Sequence, residues 1–138
     1  MTTTRVPIEK LSYPGDGLHY CEGKPFTGIA YFLATDGSVQ AEEEYRDGLL
    51  WGSKKEWFRP GVLEREAECA RGVRHGRFRE WHENGRLAAE ATYEYGIRTE
   101  GKRWDSEGNL IEDFHLEETD PAFETLKLSR DTFGGDGA

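Results

Sequence analysis

The chain has 138 residues, a length that accommodates one domain. Leu, Phe, Val and Ile together make up 26 residues, and charged residues reach 33%, which excludes a thick two-layer core. A formal net charge of -9 argues against a nucleic-acid or anionic-membrane binder, and the longest apolar run, Ile29 to Ala34, is too short to span a bilayer.

Residues 1–22 read as an N-terminal edge segment. Their start, MTTTRVPIEKL, lacks the apolar stretch of a secretory leader. Cys21 and Cys69 are therefore expected to be reduced thiols of a cytoplasmic protein. They stand two repeats apart, roughly 19 Å by strand spacing, too far for a disulfide.

Residues 23–116 repeat. One glycine series falls at Gly23, Gly48, Gly72 and Gly96, a second at Gly28, Gly52, Gly76 and Gly101, and a third at Gly37, Gly61, Gly85 and Gly108. Their intervals are all 23 to 25 residues, and side chains keep the same phase. Leu33, Trp57, Trp81 and Trp104 stand four residues before the third glycine; Val39, Leu63, Leu87 and Leu110 stand two after it.

Each unit reads as a β-hairpin. In the third, Gly76 to His82 form one strand, Glu83-Asn84-Gly85 the loop, and Arg86 to Tyr93 the return. A three-residue loop with Gly85 in the left-handed region pairs Trp81 with Leu87, whereas a two-residue Asn-Gly loop pairs His82 with Leu87. Burial favours the first. Pro60 implies a different turn in the second unit.

Alternation along this register assigns Leu33, Trp57, Trp81 and Trp104 to one face, with Leu63, Leu87, Ala67, Ala89, Ala91, Tyr45, Tyr93, Lys55, Arg79, Lys102 and Arg65. The other face receives Glu56, Glu80, His82, Asp105, Glu64 and Glu68, and a complete acidic column, Glu42, Glu66, Glu90 and Asp113. The fold class is thus all-β, a single-layer elongated twisted sheet of four hairpin repeats.

Residues 117–138 form an acidic tail with a short helix over 120–132. Asp120 fits the N-cap, Pro121 the first helical position, and Phe123, Leu126 and Lys127 follow at helical spacing. Gly134 and Gly135 close the helix, which is expected to cap the last hairpin.

The run Gly76-Arg-Phe-Arg-Glu-Trp-His-Glu-Asn-Gly85-Arg-Leu, followed by Tyr93 and Gly96, resembles the variant MORN repeat. So do Lys54, Glu56 and Trp57 with Gly61 and Leu63, and Lys24-Pro-Phe-Thr-Gly28. The resemblance implies β-hairpins laid side by side in an elongated sheet. Bacterial chains of this variant resemble the YwqK-type antitoxins, which implies a protein-binding role and carries over no catalytic residue. Leu33 departs from the Trp of the other units, and unit four lacks the apolar residue two after Gly101.

The acidic column and the Trp57, Trp81 and Trp104 column are the candidate partner-binding residues, for a protein partner that is basic, since a negative surface steers positive charge. A solubilising face and a thin core are the plainer readings of the same columns. Neighbours in the acidic column stand about 9.6 Å apart by strand spacing, too far to share a cation. No metal site and no cofactor are expected, because no zinc spacing, Walker loop or nucleophile elbow is present. An alternative is a small enzyme with acid/base chemistry from His82, Glu80 and Asp105. His75 shares its slot with Thr27, Trp51 and Glu100, and shows no periodic chemistry.

Overall fold

The computed structural model describes residues 3–134. In chain order it contains β1 (Arg5–Pro7), a 3-10 turn (Ile8–Lys10), β2 (Tyr20–Cys21), β3 (Lys24–Pro25), β4 (Gly28–Leu33), β5 (Val39–Arg46), β6 (Leu49–Arg59), β7 (Val62–Ala70), β8 (Val73–Trp81), β9 (Leu87–Glu94), β10 (Ile97–Trp104), β11 (Leu110–His115) and α1 (Pro121–Phe133). Nine strands form one long twisted sheet in the order β1-β4-β5-β6-β7-β8-β9-β10-β11, and β2 and β3 form a separate ribbon. Strands β4 to β11 run as an antiparallel meander; β1 adds to the β4 edge in parallel, making the sheet mixed.

Two kinds of turn alternate, and the glycine series mark them. Asp47-Gly48, Arg71-Gly72 and Tyr95-Gly96 join one hairpin to the next, with both residues at positive φ (50/86°, 55/86° and 52/84°), the signature of a type I′ turn. Each turn glycine donates its N–H back to the preceding unit: Gly48 to the Phe26 carbonyl, Gly72 to Leu50 and Gly96 to Arg74, at 2.8 to 2.9 Å. Within hairpins, the Glu83-Asn84-Gly85 loop closes as expected, with Gly85 at φ 88° and Trp81 opposite Leu87. Asn84 Oδ1 accepts from Arg86 N–H, as Asp36 Oδ1 accepts from Ser38 N–H in the first hairpin. The second hairpin differs as Pro60 requires: β6 continues to Arg59, which pairs with Val62 across a two-residue Pro60-Gly61 loop.

The predicted faces need correction. Every hairpin carries one unpaired residue on its return strand: Gln40, Glu64, Ala88 and Ile111 fall between the pairs Phe32↔Ala41 and Leu33↔Val39, Glu56↔Arg65 and Trp57↔Leu63, Glu80↔Ala89 and Trp81↔Leu87, and Arg103↔Glu112 and Trp104↔Leu110. A bulge of one residue inverts the alternation of everything beyond it. Glu66 therefore lies opposite Lys55 and Arg79, and Glu90 opposite Arg79 and Lys102. Those basic residues share the face of the acidic column instead of opposing it. Ala67 and Ala91 in turn share a face with Phe78, a core residue that unbroken alternation does not place.

That second face carries the core. Ala67, Cys69, Phe78, Ala89 and Ala91 are buried together against Leu50 and Tyr93, while Phe26, Ala30 and Tyr45 are buried with Val6, Ile8, Leu11, Cys21 and Leu50. Both thiols are free. Arg74 covers Phe78, its guanidinium 4.4 Å from the ring centroid. Helix α1 opens on Asp120, whose carboxylate accepts from Ala122 N–H, and Gly134 is its C-cap residue; Gly135 lies outside the described residues. The end of the helix lies at the turn rim. Phe133 stacks on Tyr95 at 5.8 Å and lies 4.7 Å from the Arg71 guanidinium, and Arg130 grips both oxygens of Glu94. It thus clamps two of the type I′ turns, because Leu116 N–H, bonded to the Thr99 carbonyl, directs the chain back toward that rim.

Candidate functional site

The bulges gather charged side chains into a row beside the core. Arg65 Nη1 donates to Glu56 at 2.6 Å and Arg65 Nε to Glu80 at 2.8 Å; Arg103 bridges Glu80 (3.4 Å) and Glu112 (3.7 Å); Arg98 completes the row on Glu112 at 2.9 Å. Three arginines thus alternate with three glutamates drawn from five strands, β6, β7, β8, β10 and β11. Burial pulls the Arg65 guanidinium down, but its hydrogen bond to Glu80 and the charges of Glu56, Glu80 and Glu64 outweigh that and hold it above its ordinary range. The Glu112 carboxyl is lowered, first by its hydrogen bond from Arg98.

An open cavity of about 570 Å³ lies over this row, lined by Glu80, Trp81, His82, Arg103, Trp104 and Asp105 among others. Five residues selected from the sequence therefore meet there: the acid/base candidates His82, Glu80 and Asp105, and the indoles of Trp81 and Trp104. Trp57 lines a separate cavity with Phe32, Gln40 and Glu56. The three acid/base candidates are held by other partners. His82 Nε2 lies 2.9 Å from the Trp104 carbonyl, Glu80 is bridged by two arginines, and Asp105 accepts from Glu107 N–H and Asn109 N–H at the β10–β11 turn. Asn109, through its backbone and its side chain, holds the Asp105 carboxyl below the usual range.

The acidic column is not an acidic surface. Across the sheet the row reads Glu42, Lys55, Glu66, Arg79, Glu90, Lys102, Asp113, alternating in sign at each strand. Arg5 contacts both Glu42 oxygens at 3.3 Å, and Arg79 Nε lies 3.1 Å from Glu90. The excess negative charge sits elsewhere: residues 105–126 carry eight carboxylates and no Lys or Arg.

Sequence reasoning missed the arginine row, since it placed Arg65 on the face opposite Glu56 and Glu80. It also gave His75 no role. His75 Nδ1 accepts from the Tyr95 N–H at 2.9 Å and Thr27 Oγ1 from the Asp47 N–H at 2.9 Å, both capping the left-handed residue of a type I′ turn. Trp51, in the same slot, packs at 4.5 Å under Arg46. Three of the four residues in that slot, Thr27, Trp51 and His75, thus stand beside a turn with different side chains.

Among the described residues, no group of three or more His, Cys, Asp or Glu could hold a metal ion, and no helix is long and apolar enough to cross a membrane. No protein-family model matches the chain, and no solved structure matches it. A protein of Bacillus subtilis (strain 168) named immunity protein YwqK is 48% identical over 127 residues, covering 92% of this chain and 80% of that protein.

Proposed function

The chain belongs to the YwqK family, and on that premise we propose that it is an immunity protein that binds and neutralises a protein toxin. The observation that carries this reading is the 48% identity, over most of both chains, to a protein named for immunity. A meander of hairpins suits the role, because it presents a long and regular surface whose side chains are fixed by cross-strand pairs. The toxin in this reading is basic, the protein acts in the cytoplasm, and each hairpin unit is a repeat of the MORN type. Trp81 and Trp104 at the cavity, and Trp57 beside its neighbour, are the aromatic anchors for contact. Glu42, Glu66, Glu90 and Asp113 contribute less, since Lys55, Arg79 and Lys102 neutralise the row between them.

Co-expression tests this directly. The chain should restore growth to cells making its cognate toxin, sought among the products of neighbouring genes, and the two should co-purify at a fixed ratio. Failure of both rescue and co-purification would overturn the reading.

A further inference from the structure

The two ends of the sheet are finished differently. The β4 edge is covered by β1, only three residues long and ending in Pro7, followed by a turn whose Ile8 and Leu11 pack into the core. At the other end β11 is the last strand. It pairs with β10 on one side, and no strand among the described residues pairs with the other. Half of its main-chain N–H and C=O groups therefore point outward, ready to continue the ladder. The strand holds neither Pro nor Gly, and Leu110 and Ile111 are 52% and 64% exposed. Phe133 and Arg130 seat the end of helix α1 on the turn rim, at Tyr95 and Glu94.

We propose that β11 is the docking edge for an extended, basic segment of the partner, which adds to the sheet as a tenth strand. The proposal rests on the toxin-binding reading for the source of that segment. Main-chain hydrogen bonds supply affinity in such strand addition, and side-chain pockets supply selectivity. Charge identifies the occupant. Residues 105–118, which carry β11 and its flanks, hold six carboxylates and no Lys or Arg, against Arg98, Lys102 and Arg103 on β10, so this end of the sheet keeps a negative excess. A second copy of this chain would set one such edge against another and be repelled, whereas a segment alternating Arg or Lys with Val or Ile is attracted and presents its apolar side chains to one face of the sheet and its cations to the other.

The probe is a labelled peptide of about ten residues alternating Arg and Val. It should bind the full chain, protect the outward amides of β11 from hydrogen exchange, and bind about tenfold more weakly when Ile111→Lys places a cation on the edge. Replacing two Val by Pro keeps the peptide's charge and removes main-chain donors, and should weaken binding by a similar factor. Hydrogen exchange on the unmodified protein keeps the test valid if the variant misfolds. Three results would overturn the proposal: equal binding of the Pro peptide, protection elsewhere than β11, or a dimer of the free protein paired through β11. The assay needs no toxin, so its failure refutes the edge and spares the immunity reading, whereas failed rescue by the unmodified chain refutes only that reading.

Discussion

At its first end the sheet is plugged: Phe26, Ala30 and Tyr45 are buried beneath Val6, Ile8, Leu11 and Cys21, and β1 occupies the edge. At its last end Leu110 and Ile111 face solvent, the Arg98 guanidinium lies 4.0 Å from the Phe114 ring, and the six carboxylates of residues 105–118 outnumber the three cations of β10. Both are answers to one problem, that the terminal strand of a repeating sheet is a template for further pairing. One end answers with a short strand, a proline and apolar cover. The other answers with charge, which repels copies of itself while leaving the backbone accessible to a cation-bearing chain. Covering stabilises an end; charging makes it selective.

The contrast can be broken most sharply with glycines. Gly28 sits at φ 148°, and a Cβ there would strike the Thr4 carbonyl and the Phe26 ring, whereas at Gly101 it would meet only the Ala91 Cβ, the Arg98 side chain and the Glu90 carbonyl at 3.1 to 3.4 Å, without a strained φ. Gly28→Ala should cost about 4 kcal/mol and Gly101→Ala about 1 kcal/mol in urea unfolding. Equal losses would show that the two ends are built alike. Next in size is Leu126→Ala. Leu126 is 1% exposed on α1, and its truncation should cost about 3 kcal/mol. Hydrogen exchange should then loosen the Arg71-Gly72 and Tyr95-Gly96 turns while leaving the β2–β3 ribbon protected.

Acid sharpens the comparison at the charged end. Glu112, lowered chiefly by Arg98, and Asp105, lowered chiefly by Asn109, have folded-state pKa values below their unfolded ones. Their stabilisation is complete above the unfolded values, about 4, and is lost as pH falls through the depressed folded values. Melting temperature should therefore drop below about pH 4, and Glu112→Gln should flatten part of that drop. A profile unchanged by the substitution would mean that the Arg98–Glu112 pair does not form. The smallest effect is expected at the alternating row: Glu66→Gln with Glu90→Gln should lower stability by less than about 1 kcal/mol, since Glu90, for one, is half exposed. A larger loss in thermal melts would show the row to be a structural seam.

The repeat, its hairpins, the Gly85 loop and the Asp120 cap were legible because each is written in residues within a few positions of one another. The faces were not. The bulged positions are occupied by Gln40, Glu64, Ala88 and Ile111, four side chains with no chemistry in common, so nothing in the sequence marks the point where alternation inverts. One signal was available. Lys55, Arg79 and Lys102 recur in phase with Glu66, Glu90 and Asp113, and opposite charges stabilise a sheet when they lie directly across from one another. Periodicity placed the two sets on opposite faces; cross-strand electrostatics favours one. The arginine row on Glu56, Glu80 and Glu112 was hidden by the same inversion, and with it the reason that His82, Glu80 and Asp105 are engaged with other groups. The path of α1 depends on Phe133 reaching Tyr95, a contact between residues 38 positions apart that no local pattern encodes.

The strictly sequential strand order has a kinetic consequence. Between β4 and β11 no paired residues are more than 17 positions apart, as in Gly28↔Tyr45, Gly52↔Cys69 and Gly76↔Tyr93. Slow β-proteins are slow because distant segments must find each other before any contact rewards the search. Here each new strand closes only a short loop onto a neighbour already in place. Assembly can proceed by zippering, unit upon unit, in the direction in which a ribosome delivers the chain, and β11 with its open edge is the last strand of the meander to be added.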